Sequence, residues 1–512
     1  ESDNTIRIVL SKAKPVIAEN GFINFAVVLE KKGSENKEFV KGSGANVVVC
    51  VQPDIKGKLI YQAWPAYMGI YDKDGNVRRN SNGRAIPGDF YSLEMMLPEL
   101  AAQGYKYVYI MGVYQLDKPE NIMGQVGPDA SLFSPLSFSI SRELGGEKGL
   151  RSLISKARGL GIGIIVDVIP HVNQNCKCLP EWAFVKAGGF SGKIVRRLAT
   201  DGSCNHEDGS PVEWHDSVML NWRDSRVAQS YVSLLKHLVS LGVKGVRIDV
   251  AHNFGTLLPV NQSLNGRQRL FGEVTSWERN ERGGFKVIDG RDENEANPLL
   301  LYFVSELNKY ASDFVFIGEN YGKYVQLIKS GIIPMDGGTH DDLEKSIIHG
   351  EPTQGVLNGH FRWLLGALPE GSQVVSALET HDYNRLMDRW KSYGPEKIKP
   401  AIWAWLSTSR GAVMVYNRQE IGEVHRIRID NYTCHDYDEA NRQRYYAQLE
   451  FKARNGEEVK DFYLKALSFY KKHSVLSNGR NYIVDTNHNR VFSILRYNED
   501  ENLLFVINCW WE

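Results

Sequence analysis

Cysteine is scarce in this chain: 6 among 512 residues are too few to staple the protein together through disulfides, so its stability has to come from a packed core. Excess charge of either sign is missing too. Lys and Arg total 61 and Asp and Glu total 61, which removes the electrostatic pull expected towards nucleic acid or an anionic membrane. No apolar run approaches the roughly 20 residues of a membrane-spanning helix. The chain opens ESDNTIRIVL, with neither an initiator methionine nor a signal-like apolar stretch, and localisation stays open between secreted or periplasmic, the side leaned to, and cytoplasmic. Also lacking is the glycine-rich phosphate loop that follows an early strand of an open dinucleotide-binding sheet. What is present is 42% apolar residues, ample for a large core, and 11 Trp, 24 Tyr and 20 Phe, which serve a core and can also stack on flat uncharged ligands.

Residues 1–55 read as a β-rich extension, with the β-branched runs FINFAVVLEKK and GANVVVCVQP around a polar turn. From there to about residue 474, short apolar runs alternate with stretches of helical period, the pattern of repeated βα units. Eight runs fit strands: 58–64, 105–113, 161–169, 245–251, 313–319, 331–336, 373–382 and 411–417. Eight predicts a closed (β/α)8 barrel, in the α/β class. Between them, Leu150, Leu153, Ile154 and Ala157, and again Val227, Tyr231, Leu234 and Leu238, follow the spacing of a core-facing helical stripe. Residues 171–222 are too long for a simple connection and are expected to form an excursion domain over the carboxyl ends of the strands. A second long connection, from Phe254 to about Asn297, is polar and glycine-rich, suiting a lid or a wall of the site. Residues 475–512 return to β pattern and read as the start of a C-terminal β domain, cut short.

The stretch GVKGVRIDVAH organises the rest. In a strand, Val246, Ile248 and Val250 face one way while Arg247 and Asp249 face the other, so a guanidinium lies beside a carboxylate and favours its ionised form. Buried charge is costly unless paired, so this pair is either a structural ion pair or part of a site, and the strand alone leaves both open. The carboxyl ends of other strands carry Asp167, Glu319, and His381 with Asp382. In a parallel barrel those ends meet at one mouth, which is where barrel enzymes place their chemistry.

With those residues assembled, the chain resembles the α-amylase group, glycoside hydrolase family 13, over nearly all of residues 58–512. DVIPHV is similar to its first motif, GVRIDVAHN to the second, FIGEN to the third and ETHDYNR to the fourth, with supporting matches at IYQAWP, GDFYSLEMMLPEL, MLNWRDSRV and GAVMVYNRQEIG. The resemblance implies a retaining enzyme acting on α-glucosidic bonds of oligo- or polysaccharides, with Asp249 as nucleophile, Glu319 as general acid/base and Asp382 stabilising the transition state. It further implies substrate-binding positions at Arg247, His381, Asp167, His171, His252, Tyr61 and Arg385. Glu273, in LFGEVTSW, is a rival for the acid; Glu319 is preferred because it ends a β-rich run and the NGRQRL before Glu273 is a poor barrel strand.

The motifs also depart from the family. Counting along DVIPHV puts His171 where an asparagine usually helps to hold calcium and Val172 where a histidine usually touches sugar; His171 is then either a sugar contact or a structural histidine. Calcium prefers oxygen ligands, so the usual structural calcium is not expected and no metal is assigned. His252 stands where a lysine is common, and LFSPLSF occupies the region of a tyrosine that stacks beneath the cleaved sugar, leaving the stacking partner unassigned. Cys176, Cys178, Cys204 and His206 could hold zinc, but their spacing is not a standard one and free thiols or one disulfide fit better. The partner expected is a carbohydrate, with no nucleic acid and no membrane span. Hydrolysis, transfer of the glycosyl unit to another sugar, and a catalytically silent glycan-binding or assembly module remain the alternatives.

Overall fold

The computed structural model describes most of residues 52–117, 132–184, 213–254, 296–423 and 456–509, together with short strand segments elsewhere between residues 21 and 288. It divides into two compact units, Glu1–Val51 and Gln52–Glu512. In the first, Gly21–Phe25 pairs antiparallel with Ala45–Val49, and Val28–Glu30 with Lys37–Phe39, in keeping with a β-rich extension.

The second unit is built on a closed barrel of eight parallel strands: β1 (Leu59–Ala63), β2 (Tyr105–Ile110), β3 (Gly163–Val168), β4 (Gly245–Ile248), β5 (Val315–Asn320), β6 (Ile333–Asp336), β7 (Val374–Ala377) and β8 (Gly411–Tyr416). Each pairs with its sequence neighbours, and β8 closes onto β1 through Val413 and Leu59. An open doubly wound sheet would leave two edges unpaired, so closure rules that alternative out.

The helices around the barrel follow local rules. Asp89 and Ser92 form a capping box at the start of α1 (Phe90–Gln103), and Gly104 ends it in a left-handed conformation. In α2 (Gly146–Gly159) Leu150, Leu153, Ile154 and Ala157 are buried, as their spacing requires. In α3 (Ser225–Leu241) the buried stripe is Val227, Tyr231, Leu235 and Leu238 with their neighbours; Leu234, expected in it, is only partly covered because Leu235 takes the central place. The circuit continues through α4 (Pro298–Asn308), α5 (Tyr324–Lys329), α6 (Gly338–Leu343), α7 (Leu357–Ala367), α8 (Ile398–Thr408) and α9 (Gly456–Lys472).

The excursion after β3 contains a three-stranded antiparallel sheet, with Glu213–Met219 between His171–Asn173 and Arg196–Leu198. Two hairpins, Leu257–Leu264 with Arg267–Gly272 and Ser276–Arg279 with Phe285–Ile288, occupy the second long connection. After α9, β9 (Arg480–Ile483), β10 (Val491–Tyr497) and β11 (Asn502–Asn508) form an antiparallel sheet.

Register decides what the barrel interior contains. On β4, Arg247 lies level with Asp167 of β3 and with Ile317 of β5, so its side chain shares a layer with those of the adjacent strands. Close approach of β4 and β5 depends on Gly245: a Cβ there would stand 2.7 Å from the Val315 carbonyl oxygen and 2.9 Å from its Cβ. Gly245→Ala is therefore expected to cost about 2 kcal/mol or more by overpacking, read as a lower melting temperature, whereas an unchanged melting temperature would mean that the strands separate freely.

Candidate active site

Arg247 lies wholly inside the barrel, and its guanidinium reaches three carboxyl groups. Nη1 donates to Asp249 Oδ1 at 2.8 Å and to Asp167 Oδ1 at 3.2 Å. Nη2 lies 3.2 Å from Glu319 Oε1, an ion-pair contact without hydrogen-bond alignment. Burial works against the charge of Arg247, but Tyr109, Glu319, Asp167 and Asp249 outweigh it and hold its pKa well above the usual range. The cation is thus permanent, and it fixes the positions of the acids around it.

Asp167 is the innermost of them and only 1% exposed. Tyr109, on β2, donates its hydroxyl to this carboxylate at 2.8 Å. Burial raises Asp167 to about 6, with Arg247 and the Tyr109 hydroxyl pulling the other way. Expected as a substrate contact, it is instead enclosed behind Arg247, where it braces the guanidinium.

The turn after β4 positions the next pair. Val250 takes a left-handed conformation, φ 49° and ψ 33°, costly for a β-branched residue by about 1–3 kcal/mol. That turn aims the Val250 N–H at Glu319 Oε2, at 2.5 Å, so the residue after Asp249 holds Glu319 in place. Gly318 makes room for it, because a Cβ there would come within 2.9 Å of the Ala251 Cβ.

His381 and Asp382, beyond β7, complete the mouth. Gln62 on β1 donates from Nε2 to His381 Nδ1 at 2.8 Å; the Met111 sulfur, an acceptor 3.0 Å from the same nitrogen, fixes the orientation of the amide. The proton of His381 is thereby placed on Nε2, 3.3 Å from Asp382 Oδ2. Phe133 stacks on the His381 ring, with centroids 4.8 Å apart and planes 11° apart, and also lies under the Arg247 guanidinium at 5.5 Å. It joins the two sides of the mouth and comes from the LFSPLSF segment for which no stacking residue was assigned. Tyr321, nearly half exposed at 48%, has Asp382 and Glu319 among the charges that act on its hydroxyl, and its ring meets that of His252 edge to face.

His171 is also brought in: its Nε2 lies 3.9 Å from Asp249 Oδ2 and it is almost fully buried. His171 lies on the strand His171–Asn173, paired with Glu213–Met219; its side chain approaches Asp249, while Val172 is fully buried in the apolar core. His252 lies on the helical turn Ala251–Asn253 directly after β4. Two expected substrate contacts are not at the mouth and are corrected here. Tyr61 is fully buried and donates its hydroxyl to Glu420 at 3.1 Å, packing between the barrel and the turn after β8. Arg385 is fully buried too; it donates to Glu379 at 3.0 Å and to the Asn417 carbonyl at 2.8 Å, over the Tyr416 ring, and latches the β7 and β8 loops together.

Glu273, the rival acid, and Cys204 and His206, two of the four residues weighed for zinc, lie outside the described residues. Cys176 and Cys178 are free thiols, and a hydrogen bond with Cys178 lowers the Cys176 pKa to about 7. Among the described residues one group, His340, Asp341 and Glu344 on and just after α6, brings side chains close enough to share a cation; His340 donates Nδ1–H to the Leu378 carbonyl and stacks on Tyr383.

Asp167 gives a signed test of the buried cluster. An acid whose native pKa is raised holds its proton more tightly when folded, so its contribution to stability falls as pH rises from about 4 to about 6 and is level above that. Subtracting the stability–pH curve of Asp167→Asn from that of the unaltered protein should show this fall. A flat difference across that interval would contradict the placement of Asp167.

No family model matches the sequence. The chain is similar to an α-amylase of Clostridium acetobutylicum, 26% identical over 358 residues, covering 66% of this chain and 40% of that protein. It is also similar to maltase 1 of Drosophila virilis, 22% identical over 340 residues, covering 62% of this chain and 48% of that protein. It therefore spans less than half the length of these relatives. Among solved structures, the ligand-free cyclic α-maltosyl-(1→6)-maltose hydrolase of Arthrobacter globiformis matches with a TM-score of 0.62 at 15% identity, covering 89% of this chain and 92% of that one, a likeness of fold. The names of these relatives and the closed eight-stranded barrel point the same way as the four motifs around Asp167, Asp249, Glu319 and Asp382: the chain is similar to proteins of the α-amylase family and shares their barrel fold.

Proposed function

We propose that this protein cleaves α-glucosidic bonds in oligo- or polysaccharides with retention of configuration. The observation that carries the reading is the Arg247 guanidinium, in contact with both Asp249 and Glu319. Two carboxyl groups on one guanidinium sit close together, which favours the spacing of about 5–5.5 Å needed for nucleophilic attack over the about 6.5–9.5 Å that leaves room for an activated water.

Asp249, ion-paired with Arg247, is the nucleophile: its carboxylate attacks the anomeric carbon, and the C–O bond to the leaving sugar breaks. Glu319 gives its proton to the departing oxygen and then takes one from the water that opens the glycosyl-enzyme ester. Asp382 faces the developing positive charge of the sugar ring. His381, with its proton on Nε2, and His171 beside Asp249 supply polar contacts for the hydroxyls of the cleaved unit, and Phe133 supplies the apolar surface beneath it. A silent binding module has no physical need for so costly a buried cluster of charge.

Transfer to a second sugar shares the same intermediate, and the half-exposed Tyr321, whose ring lies against that of His252, gives that reading a footing, since an aromatic face holds a sugar acceptor better than it holds water. Incubation with a malto-oligosaccharide separates the two: lengthened products that disappear in Tyr321→Ala indicate transfer, and shortened products alone indicate hydrolysis.

The calcium usual in the family does not fit the residues at the first motif. His171, in the place of the oxygen ligand, turns its imidazole towards Asp249, and the Asn173 side-chain oxygen accepts the Asn175 N–H. EGTA is expected to leave the melting temperature within about 1 °C of its starting value, and a large fall restored by calcium would overturn that.

Kinetics test the acid. Glu319→Gln is expected to lower kcat on a malto-oligosaccharide by about 10³-fold or more while slowing attack on an aryl glucoside with a good leaving group far less, because such a group departs without a proton. Equal losses on both substrates would remove Glu319 from that role.

A further inference from the structure

The acids stand at the carboxyl ends of the strands; a different feature is built at the amino ends. Lys56 precedes β1, Ser372 precedes β7 and Arg410 precedes β8, and together they line a cavity of about 360 Å³ whose other wall includes Arg480, Asn481 and Arg496 from β9 and β10. Four lining side chains are cations and none is a carboxylate.

Arg496 is fully buried in that wall. It donates to the carbonyls of Ser407 at 2.8 Å, Ser409 at 2.7 Å, Val475 at 3.1 Å and Leu476 at 2.9 Å, while its Nε has no partner. Carbonyl dipoles orient a guanidinium without neutralising it, so the wall keeps a net positive charge in a low-dielectric setting, where its field reaches into the cavity. Burial lowers the Arg496 pKa to about 10; Tyr470 opposes this, and the like charge of Arg410 adds to it. An anion in the cavity would relieve that repulsion.

We propose that this cavity binds a small phosphate-bearing anion, remote from the acids and independent of the glycosidic reading. Lys56 and Arg480 are the surface-accessible contacts, Arg410 and Arg496 set the potential, and Ser372 and Asn481 offer neutral hydrogen bonds. The volume exceeds what inorganic phosphate alone fills and admits a sugar-sized ester. Bound there, the anion ties the C-terminal sheet to the barrel.

Calorimetry and thermal melting of the full chain, at constant ionic strength set with sodium chloride, test this with inorganic phosphate, glucose 6-phosphate and glucose. A single saturable site for a phosphate compound is expected, with a melting temperature raised by roughly 3 °C at a hundred-fold excess over Kd. Tighter binding of glucose 6-phosphate identifies an ester as the ligand, and tighter binding of inorganic phosphate identifies the free ion. The double variant Lys56→Gln/Arg480→Gln should melt as the unaltered protein does without phosphate, bind at least ten-fold more weakly, and keep its turnover on glycosides. Absence of saturable binding, binding unchanged in the double variant, or an equal response to uncharged glucose would overturn the proposal.

Discussion

The buried guanidinium of Arg247 is the constraint around which the barrel mouth is arranged. Three carboxyl groups from three adjacent strands would repel one another in a dry interior, and one permanent cation between them turns that repulsion into a fixed geometry. Barrel closure makes this possible: β3, β4 and β5 are hydrogen-bonded neighbours, with Arg247 level with Asp167 in the parallel register. The strained Val250 turn, which aims its N–H at Glu319 of β5, is held between β4 and the helical turn Ala251–Asn253.

A second arrangement fixes the opposite side of the mouth. Gln62 sets the His381 tautomer, and Phe133 stacks on the ring that Gln62 holds, so residues of β1, of the connection after β2 and of the turn after β7 converge on one imidazole. That is why the mouth has a defined shape before any ligand enters. On the other side of the mouth, Tyr321 is the exposed counterpart, its ring against that of His252.

Much of the barrel was legible because parallel strands buried on both faces leave uninterrupted apolar runs, and each of the eight runs overlaps an observed strand. The acids were legible because each ends such a run. Gln62 and Tyr109 were not, since one polar residue inside an apolar strand has no spacing to mark it, and Phe133 was not, since its partners are 248 positions away at His381 and 114 away at Arg247. Tyr61 and Arg385 were misplaced for a related reason: a motif lists residues without saying which point inwards, and these two point into the supporting layer. Counting along the first motif left His171 open between a sugar contact and a structural histidine, because sequence alone does not show that its imidazole approaches Asp249.

The central claim is that Asp249, held by Arg247, bonds to the sugar itself rather than activating a water. The anomeric configuration of the first sugar released, followed by proton NMR before mutarotation sets in, tests it most directly. The account requires the α-anomer to appear first. A β-anomer appearing first would mean a single inverting displacement, which would contradict both the role of Asp249 and the close pairing with Glu319 on which it rests.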